Sequence, residues 1–382
     1  MGTEDLPVGM PDEERALLGS MKSLARDRFA AIAKNGPPGR VDRDLLTALA
    51  SEGVLPRIFP AALGGSGSGE ASATTLCLIR EGLAQGSTDA ETTFALQGLG
   101  AYPILQAGSE ELRQEWIPKV ARGEAVAAFA LTEPDAGTDA GALSLRAERT
   151  DGGYLLTGEK KWISNAPEAD IYSVFARTTP DAGARGVTAF ALPADTDGVG
   201  GESLDLLAPH AIGTLVLDGA FVPDEHVLGE KDKGFGVAMR TLDLFRPSVG
   251  AFAVGMAQAA LDAAVAHADK RTSFGQPLRA LQAISHQLAE AAVRIKAARL
   301  LVYEAAAAYD AGGRVTKASA IAKLYATETA QFVVDTALQV FGAQGLERGH
   351  LLEHLYRDVR ATRIYEGTSE IQREIIAREL YR

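Results

Sequence analysis

The pattern of this chain changes twice along its length, and any fold must accommodate both changes. Residues 11–125 place apolar side chains at helical spacing: Leu17, Met21, Leu24 and Ala25 in one run, Leu45, Leu46, Leu49 and Ala50 in another. Residues 126–232 carry short strand-like runs instead, at 154–157, 171–176, 187–192 and 213–217, separated by Gly, Pro, Asp and Asn. After Lys233 the chain is rich in Ala and Leu, with long helical segments over 235–270, 278–311 and 316–341 and a shorter one over 369–381. Long helices with short breaks predict an antiparallel bundle. Short strands at regular spacing predict a compact antiparallel sandwich or barrel. The expected class is α+β, mostly α, with an N-terminal helical domain over 1–125, a middle β-sandwich or barrel domain over 126–232, and a C-terminal four-helix bundle domain over 233–382. The Gly/Ser stretch 64–69 reads as a flexible joint before a helix starting near Ala71.

Net charge is −12, which argues against nonspecific nucleic-acid binding. Any anionic ligand must be met by local Arg or Lys rather than by the overall field. A single cysteine, Cys77, excludes an internal disulfide and fits a reducing compartment. The acidic start Met1-Gly2-Thr3-Glu4-Asp5 lacks the basic and apolar regions of a signal peptide, and Leu6 breaks the myristoylation pattern. The most apolar run, Val249 to Ala268, is interrupted by Gln258, Asp262 and His267. The expectation is a cytoplasmic protein with no membrane or nucleic-acid partner.

The densest chemical signal lies at Arg363–Ile375. Glu366 precedes Gly367, and Ser369 with Gln372 fits a capping box, so a helix is expected to start with Ser369 as N-cap. A carboxylate held in an apolar cleft at such a helix entry has a raised pKa and can act as a base. By itself, a Glu before a capped helix is more often solvated.

Ile364–Gln372 resembles, letter for letter, the I-Y-E-G-T-x-x-I-Q signature of the acyl-CoA dehydrogenase family. There the Glu removes the α-proton of an acyl thioester, which implies Glu366 as catalytic base. Four further blocks carry the resemblance. Ala128–Asp139 is similar to the loop T-E-P-x-x-G-[ST]-D; it implies that Phe129, Leu131 and Thr132 meet a flavin ring and that Thr138 lies near the thioester arm, with Phe129 where a Tyr is common. Gly158–Asn165 resembles G-x-K-x-W-I-[ST]-N and implies Trp162, Ile163 and Ser164 against one flavin face. Arg271–Leu278 with Gln282 resembles R-x-x-F-G-x-P-L-x-x-x-Q. Arg271 would pair with the FAD pyrophosphate of a neighbouring subunit, a task suited to a guanidinium fork, and Phe274 would pack by the adenosine end. Gln339 and Gly342 belong to the same site, where Ala343 replaces the usual second glycine. The resemblance adds Thr368 and Glu370 to the cofactor set.

Asp243-Leu244-Phe245-Arg246-Pro247 matches a family segment whose Arg lies near the catalytic carboxylate. In some subfamilies the base stands just before that Arg. Here the position is Phe245, which leaves Glu366 as the candidate. Thr138, Asp243, Phe245, Arg246, Tyr365 and Gly367 form the implied substrate set. Phe245 as a flat apolar wall, closed by Tyr365, predicts a short, branched or cyclic acyl group; the alternative places Phe245 in the bundle core. Leu207–Gly213 departs from a family G-x-R-x-[ST] pattern, away from the flavin blocks, and so bears on acyl identity more than on the cofactor.

The implied reaction is FAD-dependent α,β-dehydrogenation of an acyl thioester to the trans-2-enoyl thioester, with flavin N5 accepting hydride and an electron-transfer flavoprotein receiving the electrons. The Glu366 backbone N–H and a ribityl hydroxyl would bind the thioester carbonyl. The carrier is coenzyme A or a carrier protein, and the assembly a homotetramer. Two rivals stand beside it. One is a flavin monooxygenase on the same scaffold, marked by oxygen consumption; relatives of that kind generally lack the Glu. The other is a non-catalytic scaffold, marked by a colourless protein. The letters His350-Leu351-Leu352-Glu353-His354 spell an inverted zinc-protease motif, but no third ligand has a clear spacing, so an ordinary helix surface and no metal are expected. No G-x-G-x-x-G follows a strand, so a dinucleotide would not be held in a Rossmann manner.

Overall fold

The computed structural model describes residues 9–67 and 71–382; the acidic N-terminal pentapeptide and part of the Gly/Ser joint lie outside them. In chain order come α1 (Asp12–Leu24), α2 (Ala30–Asn35), α3 (Arg43–Ser51), α4 (Ala73–Ala84), α5 (Thr88–Ala107) and α6 (Glu110–Ala121). The strands are β1 (Ala127–Ala130), β2 (Arg146–Thr150), β3 (Gly153–Ser164), β4 (Ile171–Arg177), β5 (Val187–Pro193), β6 (Val199–Gly200), β7 (Ile212–Pro223) and β8 (Val227–Leu228). There follow α7 (Gly234–Lys270), the short β9 (Thr272–Ser273) and β10 (Gln276–Pro277), α8 (Gln282–Asp310), α9 (Thr316–Phe341), α10 (Leu351–Thr362) and α11 (Ser369–Leu380). This is the helical, β, helical order expected. The chain divides into two compact units. One comprises Met1–Ala31, Ser72–Glu91 and Asp243–Arg382; the other comprises Ile32–Ala71 and Thr92–Leu242.

The second unit holds an eight-stranded sheet in the order β6-β7-β3-β2-β4-β5-β8, with β1 on β4. Pairing is antiparallel except for β1 and β2 against β4, which run parallel to it. β4 and β5 are buried at every position but the last, which explains their near-continuous apolar letters. Gly100 of α5 lies so close to β1 that a Cβ there would stand 2.5 Å from the Ala128 nitrogen. Ser173 of β4 donates its hydroxyl to the Gly100 carbonyl at 2.8 Å, fixing that approach.

The first unit is helical. Ser72 caps α4, and Asp310 at the end of α8 accepts from Ser72 Oγ (2.8 Å) and from the nitrogens of Ala73 (2.7 Å) and Thr74 (3.0 Å). An anion at a helix N-terminus meets free N–H groups and the positive end of the dipole. A buried network joins α4, α7 and α8: Glu81 accepts from Arg299 at 2.8 Å and from Tyr303 at 2.9 Å, while Arg299 also donates to Gln258 at 2.9 Å. α7 is long and apolar enough to cross a bilayer, but most of its apolar window is buried inside the protein, as in a core helix.

α10 is a further helix between α9 and α11. Its His350 is the N-cap, accepting from the Leu352 nitrogen at 3.2 Å. Glu353 pairs with Arg357, and His354 with Asp358, so these letters are engaged in helix capping and i,i+4 pairs.

Candidate active site

In the sheet-bearing unit, the two sequence blocks expected around a flavin are joined by a buried ion pair. Lys160 of β3 is 0% exposed and donates to Glu133 Oε1 at 2.8 Å and to the Leu131 carbonyl at 3.0 Å. Glu133 also accepts from the Ser144 nitrogen and hydroxyl and from the Leu145 nitrogen. Burial presses Lys160 down to about 8 despite its partner. Burial pushes Glu133 up, but Lys160 and the backbone donors outweigh it and hold the carboxylate below its ordinary range. The Lys161 nitrogen donates to the Thr132 carbonyl at 3.0 Å, so loop and strand are tied twice. At the next residue the β3–β7 register shifts, and Trp162 takes a left-handed φ of 57°. A bulge re-aims a side chain, and Trp162 is 44% exposed while its neighbour Ile163 is 2% exposed. A large flat face is thereby presented at the surface of this unit. Phe129 is half-buried against Phe175, with ring centroids 5.0 Å apart, and Leu131 is buried.

The departing segment touches this region, contrary to expectation. His210 Nε2 lies 3.3 Å from Ser164 Oγ, because Ile212 begins β7, the partner of Ser164 at the end of β3. The variation thus bears on a residue of the proposed flavin set as well as on acyl identity.

In the helical unit, Glu366 has φ 52° and Gly367 φ 93°. A non-glycine residue in the left-handed region costs about 1–2 kcal/mol and needs surrounding support. That support comes from donors to the two carbonyls. Arg246 Nε reaches the Glu366 carbonyl at 3.3 Å. Lys323 Nζ reaches the Gly367 carbonyl at 2.7 Å, and Gln372 Nε2 reaches it at 2.9 Å. The φ of Gly367 is what favours glycine here, and a Cβ at Gly367 would fall 2.6 Å from Gln372 Nε2, so that side-chain end would also have to shift. Glu366 Oε2 is fully buried and has no hydrogen-bond partner among the described residues. Burial lifts this carboxyl above its ordinary range, opposed in turn by Arg80, Lys323 and Arg246. Lys323 is itself pressed by burial to about 8. Asp243 pairs with Arg246 at 3.2 Å, and burial raises it despite that partner.

The helical unit also contains a cleft of about 370 Å³ that gathers Arg271, Gln339 and Gly342 with His267 and Phe341. Gln282 and Phe274 are not among its lining residues. Phe274 and Gly275 form the two-residue turn of the β9–β10 hairpin, both at positive φ as a type I′ turn requires, and the turn leaves Phe274 93% exposed.

Two further expectations change. The cap of α11 is Thr368, whose hydroxyl accepts from the Ile371 nitrogen at 3.3 Å; Ser369 donates to Glu328 instead, and Gln372 turns to the Gly367 carbonyl. Phe245 is 0% exposed and packed in the helical core, so it is not a wall that an acyl chain can reach. Four charged residues were not singled out as site residues: Lys160, Glu133 and Lys323, which hold the loops, and Arg80, which acts on Glu366 through charge. The first two stood inside the quoted blocks, and the others stand as charges within apolar helical runs, a pattern that signals a buried partner. Thr138 and Glu370 are exposed in this chain, and Tyr365 is half-buried.

Family models for the acyl-CoA dehydrogenase N-terminal, middle and C-terminal domains match residues 11–124, 128–218 and 232–381. The chain is 35% identical over 373 residues to the cyclohexane-1-carbonyl-CoA dehydrogenase of Geobacter metallireducens, covering 97% of each. It is similar to butyryl-CoA dehydrogenase from Megasphaera elsdenii, at TM-score 0.90 and 35% identity over 99% of this chain and 100% of that one. It is also similar to a chain solved in work on the electron transferring flavoprotein of Acidaminococcus fermentans and flavin-based electron bifurcation, at TM-score 0.92 and 32% identity over 99% of this chain and 100% of that one. The chain belongs to the acyl-CoA dehydrogenase family: it is an FAD-dependent oxidoreductase that dehydrogenates an acyl-CoA.

Proposed function

We propose that Glu366 is the base that takes the α-proton of the acyl-CoA. The observation that carries this reading is its buried Oε2, which lacks a hydrogen-bond partner on a backbone held in a strained conformation. Leaving a buried carboxylate oxygen unsatisfied is costly, and such groups cluster where chemistry needs them. Burial makes the carboxylate more basic, and the nearby cations of Arg80, Lys323 and Arg246 oppose that rise. The Glu366 backbone N–H would donate to the thioester carbonyl and stabilise enolate-like charge.

The residues present fit FAD. Trp162 with Ser164, and Phe129 with Leu131 and Thr132, offer a flat face and polar edge for the flavin ring; Arg271, Gln339 and Gly342 offer a cleft with a guanidinium for the pyrophosphate. When bound, FAD supplies the two-electron acceptor for the β-hydrogen. Glu366→Gln is expected to keep FAD and abolish anaerobic bleaching by acyl-CoA, a loss of at least about 10²–10⁴-fold. Near-normal bleaching with unchanged flavin occupancy refutes the assignment.

The finer partners belong to the same proposal. A short or cyclic acyl group is supported by the names of the relatives above, no longer by Phe245. Comparing butyryl, palmitoyl and cyclohexanecarbonyl thioesters by bleaching decides it, and preference for palmitoyl refutes it. A homotetramer is supported by the exposed Phe274 at its strained hairpin tip beside the Arg271 cleft, and a flavin-loaded monomer in light scattering refutes it. An electron-transfer flavoprotein as acceptor is supported by the likeness to the chain from the bifurcation work.

A further inference from the structure

The helical unit buries a second charged pair that the reaction above does not use. Arg80 of α4 is 4% exposed and Glu91 of α5 is 0% exposed, and they are joined through Arg80 Nε and Glu91 Oε1. Arg80 Nη1 donates to Ser248 Oγ at 2.7 Å, and Ser248 Oγ donates to the Phe245 carbonyl at 2.6 Å. That carbonyl lies in the turn of α7 containing Pro247, which supplies no N–H to the helical ladder. Arg246, between these residues, donates to the Glu366 carbonyl. A polar path therefore runs from Glu91 through Arg80 and Ser248 to the turn that carries Arg246, and on to the backbone of Glu366. Charge acts beside it, because Arg80 interacts electrostatically with both Glu366 and Tyr365.

We propose that the Arg80–Glu91 pair positions the Glu366 base: Arg80 braces the proline turn of α7 and supplies a fixed positive charge toward the carboxylate, while Glu91 holds Arg80 in place and moderates that charge. This rests on Glu366 being the base. A buried ion pair is a weak source of stability compared with apolar residues of the same volume, so stability does not account for the pair. The charged and titratable groups of the surrounding elements are Arg80 from α4, Glu91 from α5, Asp243 and Arg246 from α7, Lys323 and Glu328 from α9, Asp358 from α10, Glu370 from α11, and Tyr365. Arg246 and Lys323 each donate to a loop carbonyl. Arg80 is the largest of the three cationic influences that oppose the effect of burial on Glu366.

The test is anaerobic bleaching of the FAD-loaded enzyme by an acyl-CoA, followed against pH. Arg80→Met removes a cation, so the acid limb of the rate profile moves to higher pH by about one unit, the low end for one nearby charge. Glu91→Gln removes an anion but keeps an oxygen for Arg80, so the limb moves to lower pH. Arg80→Lys restores the charge and returns the limb toward wild type. A purely structural pair lowers the plateau in these variants and moves neither limb. Limbs within about 0.2 units of wild type, or limbs moving in the same direction, overturn the proposal. If Arg80→Met does not fold, Glu91→Gln decides alone. Glu366→Gln, run alongside, separates the two readings: if it bleaches normally the base assignment falls, and if it is inactive while the other limbs stay fixed only the positioning role falls.

Discussion

Lys160→Met isolates the brace between the two proposed flavin blocks. Lys160 and Glu133 have side chains 0% and 4% exposed, so the substitution leaves a carboxylate inside the protein without its cation. Burial already holds Lys160 down to about 8, so the pair itself is not a large source of stability. The cost lies in the orphaned Glu133. Breaking a buried pair on one side costs about 3–5 kcal/mol. Glu133 keeps the donors of Ser144 and Leu145, at 2.6, 2.8 and 2.9 Å, which places the loss near the low end, about 3 kcal/mol. For a domain of ordinary size that lowers the melting temperature by roughly 6–12 °C. Thermal melts followed by circular dichroism measure the loss, and flavin fluorescence measures FAD release, which rises as the Thr132 loop loosens. Adding Glu133→Gln removes the stranded charge, so the double variant recovers about 1–2 kcal/mol of the single variant's loss. A single variant within about 0.5 kcal/mol of wild type, or a double variant less stable than the single, refutes the argument.

Gly367→Ala places a side chain at φ 93° with its Cβ 2.6 Å from Gln372 Nε2; it is expected to cost about 1–2 kcal/mol and to slow bleaching tenfold or more through displacement of Glu366, measured by denaturant unfolding and rapid kinetics. Phe245→Ala is expected to cost about 3–5 kcal/mol and leave acyl-chain preference unchanged, so a widened preference at wild-type stability restores the wall reading. The hydrogen bond to Asp358 raises the pKa of His354 against the effect of burial, so its contribution to stability is full below about pH 6.5 and is lost as pH rises through the folded value. The urea-midpoint gap between wild type and His354→Gln should therefore narrow as pH climbs above that range; a gap that widens refutes the sign.

The helical, β, helical order was legible because periodicity is a local property: β4 and β5 read as apolar runs, and α7 to α9 as long Ala-rich helices. The cap of α11 was misplaced by one residue because Thr368 and Ser369 are both good caps, and only the demand of Glu328 on Ser369 separates them. Phe245 was misread for a different reason. A helical position beside Arg246 says nothing about which way its own side chain points, and successive residues on a helix lie about 100° apart. Arg80 and Lys323 were visible as charges in apolar runs, yet their partners, Glu91 and the Gly367 carbonyl, are set by tertiary packing that no spacing encodes. His210 escaped for the same reason: the pairing of β3 with β7, not chain proximity, brings it to Ser164.

As the proposed base, Glu366 would combine opposed local effects in a chain with net charge −12. Burial alone would drive the carboxyl toward the protonated form at neutral pH, where it could accept nothing. Cations alone would hold it ionised but make it too weak to compete for an α-proton. The helical unit applies both, with burial the larger effect and Arg80, Lys323 and Arg246 set against it. Two of those cations also donate to the carbonyls of Glu366 and Gly367, so the groups that tune the carboxylate also hold its strained backbone. Removing Lys323 or Arg246 should therefore disturb charge and geometry together, and kinetics alone would not separate the two effects. Arg80 donates to neither loop carbonyl; it acts through charge and through Ser248 in the turn of α7 that carries Arg246, which is why substitutions at Arg80 and Glu91 can shift the pH limb in opposite directions.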